Sequence, residues 1–209
     1  FSDELVQIFR ETPTLCKYLD IPFQHISNKV LKSMHRGSDS KYIWSIIERL
    51  REAVPTMAIR STFITGYPGE TDEDFKQLED FIRQAELERV GVFPFSIEEG
   101  TEAATLPHLV PKKVAEERRD VIMKLQQKIS LKKNRQLIGK QLKAIREKSH
   151  GRLESQAPEI DGIVKLKNSR GGPMWPPNKE GQPHRVAPTP FIAVKITDAE
   201  PYDLVGQIV

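Results

Sequence analysis

The sequence predicts an α/β domain followed by a small antiparallel β-barrel. In the first part of the chain, short apolar runs alternate with segments whose apolar residues recur at three- and four-residue spacing, which indicates parallel strands joined by helical crossovers. Toward the end, short alternating runs are bounded by Gly, Pro and Asp, a pattern typical of a small barrel. We place the α/β domain in residues 1–136 and the barrel in residues 137–209.

Three candidate strands organise the α/β domain: CKYLDIPFQ (16–24), IRSTFIT (59–65) and RVGVFPFS (89–96). Pro22 is expected to close the first strand. Helices are predicted around residues 5–9, after the turn RGSDS, and after Thr71, where Thr-Asp-Glu-Asp has the form of a capping box. A long charged helix with an apolar stripe is predicted from Pro111 to near Gly139.

The barrel region is interrupted by a segment rich in proline and glycine. Residues 168–190 contain six of the 15 prolines, too many for a strand, so we predict a long loop there.

The composition excludes several classes of site. Cys16 is the only cysteine in 209 residues, so the chain has neither an internal disulfide nor a metal site built on two or more of its own thiolates. No two of the five histidines have helix-face ligand spacing, so we expect no metal ligands in this chain. The 32 basic and 29 acidic residues are interspersed, which leaves nucleic-acid binding undecided.

The chain is expected to be a cytoplasmic fragment. No apolar run approaches the roughly 18 residues that a membrane span needs, and no signal peptide is recognisable. The first residue is Phe1 rather than Met, and it runs directly into helical periodicity, so we treat the sequence as part of a longer protein.

Three strand ends are the candidate positions for chemistry, because ligands of α/β sheets bind outside the carboxyl ends of the strands. They are PFQHIS (22–27), ITGYPGE (64–70) and VFPFSIEEGT (92–101). The glycines of the second allow backbone N–H groups to approach a ligand, but Gly-Lys-Ser/Thr is absent, so a nucleotide-triphosphate loop is excluded. By itself this stretch is equally compatible with a plain strand-to-helix turn.

Each polar residue at these strand ends also has a purely structural interpretation. His25 can bind a polar ligand, or it can be a strand-end histidine satisfied by backbone. Glu98 and Glu99 can act as paired carboxylates, or they can be solvated loop residues. The basic residues of the helix at 111–137 can contact RNA, or they can form a solvated face.

Together these stretches resemble one family. PFQHISNKVLKSMHRG, RSTFITGYPGETDEDF, VGVFPFSIEEGTEAATL and APEIDG followed by YDLVGQIV, in that order, look like the radical-SAM methylthiotransferases over nearly the whole chain. Within the family, Gln24-His25 and APEIDG resemble the branch that modifies small-subunit ribosomal protein S-twelve more than the branch that modifies tRNA.

The resemblance implies the C-terminal half of a radical-SAM partial TIM-type barrel, followed by a barrel of the TRAM type. It also implies the cofactors S-adenosylmethionine and two 4Fe-4S clusters, whose cysteine ligands, including a Cys-x-x-x-Cys-x-x-Cys motif, are absent here. The cofactor would abstract a hydrogen from an unactivated carbon, after which a methylthio group is added. We therefore expect this chain alone to be inactive.

Residues are assigned to the pocket by motif position, as the resemblance implies. The cofactor would be bordered by eight residues: Gln24, His25, Arg60, Thr62, Ile64, Gly66, Phe93 and Phe95. The substrate would meet five others: Glu98, Glu99, Thr101, Glu159 and Asp161. Of these, Glu159 and Asp161 are expected to face basic residues of the ribosomal protein, although the segment that holds them can also be a simple turn.

Two other functions stay open at this point. One is a tRNA methylthiotransferase. The other is a non-catalytic module that binds RNA or protein, for which steep salt dependence of RNA binding would be the sign. The expected partner is the ribosomal protein or the ribosomal subunit, with tRNA as the alternative, no membrane, and a monomeric enzyme.

Overall fold

The computed structural model describes residues 1–147, 149–167 and 191–209. These residues form two compact units, Phe1–Ile129 and Ser130–Val209. The division between them falls inside a long helix. The boundary that the sequence predicts between residues 136 and 137 stays a prediction, and the predicted loop at 168–190 lies outside the described residues.

The first unit alternates helices with strands, as the sequence predicts. Its elements, in chain order, are α1 (Asp3–Glu11), β1 (Tyr18–Asp20), α2 (Asn28–Ser33), α3 (Ser40–Ala53), β2 (Ala58–Thr65), α4 (Asp72–Ala85), β3 (Arg89–Pro94), a short 3₁₀ helix (Glu102–Thr105) and α5 (Lys112–Arg135). No helix within the described residues is long and apolar enough to cross a membrane.

The three strands form a parallel sheet in the order β1-β2-β3. Thr62 lies opposite Gly91 and Ile64 opposite Phe93 in the β2–β3 pairing, so these residues share one face. Along β2, buried side chains alternate with half-buried ones. One face of the sheet is therefore covered by helices, and the other face is more open.

The helices of the first unit begin and pack as their sequences dictate. Thr71 and Asp74 form both hydrogen bonds of the predicted capping box at the start of α4. Behind the sheet, Phe63 is fully buried, and its ring lies 5.9 Å from that of Phe81 and 6.5 Å from that of Phe23. Trp44 of α3 completes the group, with its ring 4.9 Å from Phe81. This aromatic cluster joins helices to the covered face of the sheet.

Two local features differ from the sequence expectation. The first strand is only three residues long, because Pro22 has no N–H to donate, and pairing resumes as an isolated bridge between Gln24 and Phe63. Helix α2 has only six residues, too few for helical periodicity to show in the sequence.

The second unit is a closed barrel, in the order β4-β5-β6-β8-β7. Its strands are β4 (Gln141–Glu147), β5 (His150–Leu153), β6 (Val164–Lys167), β7 (Phe191–Ala199) and β8 (Leu204–Ile208). All neighbouring pairs are antiparallel except β6 and β8, which run parallel. The barrel is confirmed, and its single parallel pair is a feature that the sequence does not indicate.

The interior of the barrel is small and apolar, and Gly206 allows neighbouring side chains to pack directly against its backbone. Val164, Val194, Ile196 and Leu204 are almost completely buried there. A Cβ atom placed on Gly206 would lie 2.3 Å from a methyl carbon of Val194 and 3.0 Å from one of Val164. The interior thus has no space for one more methyl group at this position.

We expect Gly206→Ala to lower the free energy of unfolding by about 1–3 kcal/mol, because the added methyl group overpacks the barrel. Urea denaturation followed by circular dichroism measures the loss. Gly37→Ala is the matched control, since nothing lies within 4 Å of the Cβ position there. Equal effects of the two substitutions would contradict the packing argument.

Candidate functional site

The open face of the parallel sheet carries four of the predicted site residues. Arg60, Thr62 and Ile64 are half-buried and alternate along β2 with residues that face the covered side. Phe93 lies beside Ile64 on β3, and 58% of it is exposed. The period of two residues along a strand thus brings four predicted residues onto one surface.

Gly91 leaves a shallow space on this surface. A Cβ atom at Gly91 would lie 3.8 Å from both the Arg60 Nη2 and the Thr62 Oγ1 atoms, and 3.7 Å from the Phe93 ring. Arg60 forms an ion pair with Asp20 at the end of β1. The surface therefore combines an aromatic ring, a hydroxyl and a paired guanidinium, which suits a planar ligand with polar edges.

Gln24 and His25, at the end of the first strand, differ in their surroundings. Gln24 is half-buried with φ of 71°, and its backbone bridges Thr62 and Ile64 through hydrogen bonds of 2.9 and 2.8 Å. His25 is completely buried, and its Nδ1 accepts a hydrogen bond of 3.0 Å from the Ser27 N–H. A histidine satisfied by backbone is one of the two interpretations that the sequence leaves open, and this hydrogen bond fits it. The ring is buried and does not lie on the open face.

Gly66, at the end of β2, is required by a close approach of the chain. Its φ is 74°, and a Cβ atom there would lie 2.2 Å from the Cβ of Ala115 on α5. The Gly66 N–H donates to Glu70 Oε2 at 2.8 Å, and the Tyr67 N–H contacts the same oxygen at 3.4 Å. The N–H groups of this turn are thus satisfied within the protein and are not presented to an anion.

Phe95 follows β3 and packs against the turn. Its ring lies 5.4 Å from that of Tyr67 in an edge-to-face arrangement, and its N–H donates to the Thr65 carbonyl at 2.8 Å. Of the eight residues predicted for the cofactor, His25 is fully buried, Gly66 is closed off by Ala115, and the half-buried Phe95 packs on Tyr67.

The centre of this support is Glu70, which the sequence analysis does not single out. Its carboxylate accepts a 2.7 Å hydrogen bond from Arg118 of α5, and both side chains are almost fully buried. Arg118 also binds the exposed Asp72 at 2.6 Å. His25 completes the group, with its Nε2 atom 3.6 Å from Glu70 Oε2. The only sequence signal was the position of Glu70 at the end of ITGYPGE.

Asp74 ties α4 to the connection that follows β1. Ser27 Oγ donates to its carboxylate at 2.6 Å, Lys29 Nζ at 2.9 Å and Thr71 Oγ1 at 2.7 Å. Burial acts to raise the pKa of Asp74, but the hydrogen bonds from Ser27, Thr71 and Lys29 outweigh it and hold the pKa well below its usual range. The capping box was visible in the sequence, whereas Ser27 and Lys29 come from a distant segment.

Glu98, Glu99 and Thr101 lie on an exposed connection after β3. Glu98 accepts a hydrogen bond of 2.9 Å from Ser96 Oγ, and its carbonyl accepts one of 2.8 Å from Thr101 Oγ1. Thr101 thus shapes the loop, while the two carboxylates face solvent. This arrangement is compatible with both interpretations of the glutamates.

In the barrel, the two predicted acidic residues have different roles. Glu159 is exposed with φ of 65°, next to Ile160, which is 62% exposed. Asp161 closes the loop, because its carboxylate accepts a hydrogen bond of 2.8 Å from the Ala157 N–H. Glu159 is therefore available to a partner, and Asp161 maintains the turn.

The residues present do not fit an iron–sulfur cluster. Within the described part of the chain, no group of three or more His, Cys, Asp or Glu side chains is arranged to hold a metal ion. Cys16 is exposed and is the sole thiol.

Family models match both parts of the chain. The model described as the radical SAM superfamily matches residues 1–82, and that of the TRAM domain matches residues 138–209. Relatives described as ribosomal protein uS12 methylthiotransferase RimO align with nearly all of the chain. The chain is therefore similar to the radical-SAM methylthiotransferases over nearly its whole length.

These relatives are longer than the chain. The relative from Pelobacter propionicus is 42% identical over 211 residues, which are 99% of this chain and 44% of that protein. The relative from Carboxydothermus hydrogenoformans is 41% identical over 100% of this chain and 46% of its own length. The chain thus spans less than half of the curated relatives that it matches.

The chain is also similar to solved structures. The radical SAM enzyme coproporphyrinogen III oxidase from Escherichia coli is 17% identical, with a TM-score of 0.45 over 59% of this chain and 28% of that one.

We expect Glu70→Gln to lower the free energy of unfolding by about 3–5 kcal/mol, because it removes the buried partner of Arg118 and leaves the guanidinium charge poorly compensated. Urea denaturation measures the loss. Asp72→Asn removes the exposed partner of the same arginine, so its cost should be below about 1 kcal/mol. A similar loss for the two variants would show that burial of the Glu70 pair is unimportant.

We expect acid to destabilise the wild-type protein more than Asp74→Asn. Because the pKa of Asp74 is lower in the folded than in the unfolded chain, its ionisation stabilises the fold fully above the unfolded pKa of about 4. This stabilisation is lost as the pH falls toward the folded pKa. Unfolding free energies measured between about pH 6 and pH 2 should differ by about 1–3 kcal/mol at the upper end, and the difference should narrow steadily below about pH 4. Parallel pH profiles of the two proteins would refute this.

Proposed function

We propose that this chain is part of an enzyme that adds a methylthio group to the β-carbon of an aspartate in ribosomal protein uS12. The observation that carries the proposal is the 42% identity, over 99% of the chain, to a relative described as a uS12 methylthiotransferase. The radical SAM and TRAM matches support the same reaction class. We place the activity in the cytoplasm and expect the enzyme to be a monomer.

In this proposal the open face of the sheet borders the adenosine part of S-adenosylmethionine. Phe93 and Ile64 would contact the adenine, while Thr62 and Arg60 offer polar groups at its edge. Gln24 would complete the border, and His25, Gly66 and Phe95 would maintain its shape from within. When bound, S-adenosylmethionine supplies the radical chemistry that activates a carbon–hydrogen bond.

The clusters of the full-length enzyme would be held outside this chain. We propose two 4Fe-4S clusters with cysteine ligands that lie elsewhere, since this sequence contains only Cys16. For the same reason we propose that the chain alone has no methylthiotransferase activity. Its contribution is to position the cofactor and the substrate.

Acidic groups support a basic protein as the substrate. Glu98 and Glu99 are exposed after β3, at the carboxyl end of the sheet, where we propose that the substrate enters beside Thr101. Glu159 is exposed on the barrel and would pair with Lys or Arg of uS12, while Asp161 holds the loop that presents it.

An RNA-modifying function is the second candidate, and one observation favours it. Lys143, Lys167 and Lys195 are exposed on the strands of the barrel, and Lys143 Nζ lies 4.0 Å from the Phe191 ring centre. Ammonium groups next to an aromatic ring suit a phosphate backbone with an unstacked base. The enzyme would then be a tRNA methylthiotransferase, or the chain would be a non-catalytic binding module.

Gene deletion followed by mass spectrometry separates these functions. We expect deletion of the gene that encodes this chain to abolish the methylthio group on uS12 and to leave methylthio-adenosine in tRNA unchanged. Expression of the full-length relative from Pelobacter propionicus should restore the modification, while expression of residues 1–209 alone should not. Loss of the tRNA modification with intact uS12 would establish the alternative, and loss of neither would favour the binding module.

A further inference from the structure

A cavity of about 250 Å³ lies where the three strand-to-helix connections meet. It is lined from each connection in turn: by Val30 and Ser33 after β1, by Pro68 and Gly69 after β2, and by Leu106 and Pro107 after β3. The cavity is therefore at the carboxyl end of the parallel sheet, the position where ligands of such sheets bind.

Hydrogen bonds between the connections hold the walls of the cavity in place. The Gly69 N–H donates to the His108 carbonyl at 2.9 Å, which joins the second connection to the third. Lys29 Nζ donates to the Gly69 carbonyl at 2.8 Å and to Asp74 at 2.9 Å, which joins the first connection to the second. The cavity is thus preformed, so little binding free energy would be lost in ordering its walls around a ligand.

The residues that line the cavity favour an apolar ligand group of modest size. Val30, Pro68, Leu106 and Pro107 contribute hydrocarbon, and the charge of Lys29 is already compensated by the Asp74 carboxylate. The volume lies below the roughly 300 Å³ at which small-molecule pockets begin, so one side chain fits better than a whole cofactor.

The third connection, which supplies Leu106 and Pro107 to the cavity wall, is rich in carboxylates. Glu98, Glu99 and Glu102 are exposed there, and residues 97–107 contain no Lys or Arg. Glu102 Oε1 lies 3.1 Å from His35 Nε2, just after α2, which brings this acidic segment close to Ser33 at the cavity wall. Lys32 and Arg36 of the same region line a separate cavity. An apolar cavity beside an acidic segment is complementary to a polypeptide that carries an apolar residue next to Lys or Arg.

We propose that this cavity binds one apolar side chain of the basic polypeptide substrate, close to the residue that is modified. The inference rests on the proposed function, which makes a ribosomal protein the substrate, and it adds the subsite that sets the register of the peptide. A nucleic acid is a poorer occupant, because the exposed Glu98 and Glu99 of the third connection repel phosphates.

Binding of uS12 to the intact 209-residue chain tests this subsite. Fluorescein-labelled uS12 from Pelobacter propionicus is titrated with the chain, and fluorescence anisotropy gives the dissociation constant. Ser33→Trp fills the cavity from its half-buried rim and should weaken binding at least about tenfold, while Leu106→Ala removes part of the wall and should weaken it several-fold. Circular dichroism and thermal unfolding establish that each variant is folded.

Matched controls separate the cavity from general surface effects. Val121→Ala shortens an apolar residue of α5 that is 42% exposed, and it should change the dissociation constant less than about twofold. Glu99→Gln should weaken binding and reduce its salt dependence, while Glu73→Gln, which removes an exposed carboxylate from α4, should do neither.

The outcomes distinguish the subsite from the function on which it rests. If uS12 binds the wild type but Ser33→Trp and Leu106→Ala bind equally well, the subsite is wrong and the proposed function is untouched. If uS12 does not bind the wild-type chain, the subsite is also wrong. Failure of the proposed function appears independently, as unchanged uS12 modification in the deletion strain.

Discussion

The buried carboxylate of Glu70 is the group on which the arrangement of the strand ends depends. Its oxygens accept hydrogen bonds from the N–H of Gly66 and from the guanidinium of Arg118. One side chain thereby fixes the turn after β2 and the start of α5 to each other. Because this carboxylate is buried, it must be paired, since an unpaired buried charge costs several kcal/mol. Glu70 therefore fixes the turn at the end of β2, the strand that carries Thr62 and Ile64.

The same constraint separates residues that support the site from residues that a ligand can reach. His25 and Gly66 belong to the first group, since one is fully buried and the other is closed off by Ala115. Thr62 and Phe93 belong to the second group, since they lie on the open face. A short motif at a strand end thus contains both kinds of residue in adjacent positions. Burial separates them, since His25 and Gly66 lie just beyond the strands, where neighbouring segments cover them.

The acidic groups follow a similar division. Asp74 and Asp161 are used inside the protein, where each accepts hydrogen bonds that order a connection. Glu99 and Glu159 are exposed to solvent and are accessible to a partner. A carboxylate near a turn is therefore weak evidence for substrate binding until its hydrogen bonds are known, because the turn itself competes for the oxygens.

The sequence by itself determined the α/β pattern, the capping box at Thr71, the barrel and the family resemblance, because these depend on local periodicity and on motifs read in order. It also determined that the chain has a single cysteine, Cys16. Only the tertiary structure decided that Glu70 pairs with Arg118 and that Ser27 and Lys29 bind Asp74, since these partners are more than 40 residues apart. The short helix α2 and the parallel pairing of β6 with β8 also needed the fold, because neither leaves a periodic signal. Long-range hydrogen bonds depend on how distant segments pack together, and no single segment of the sequence determines that packing.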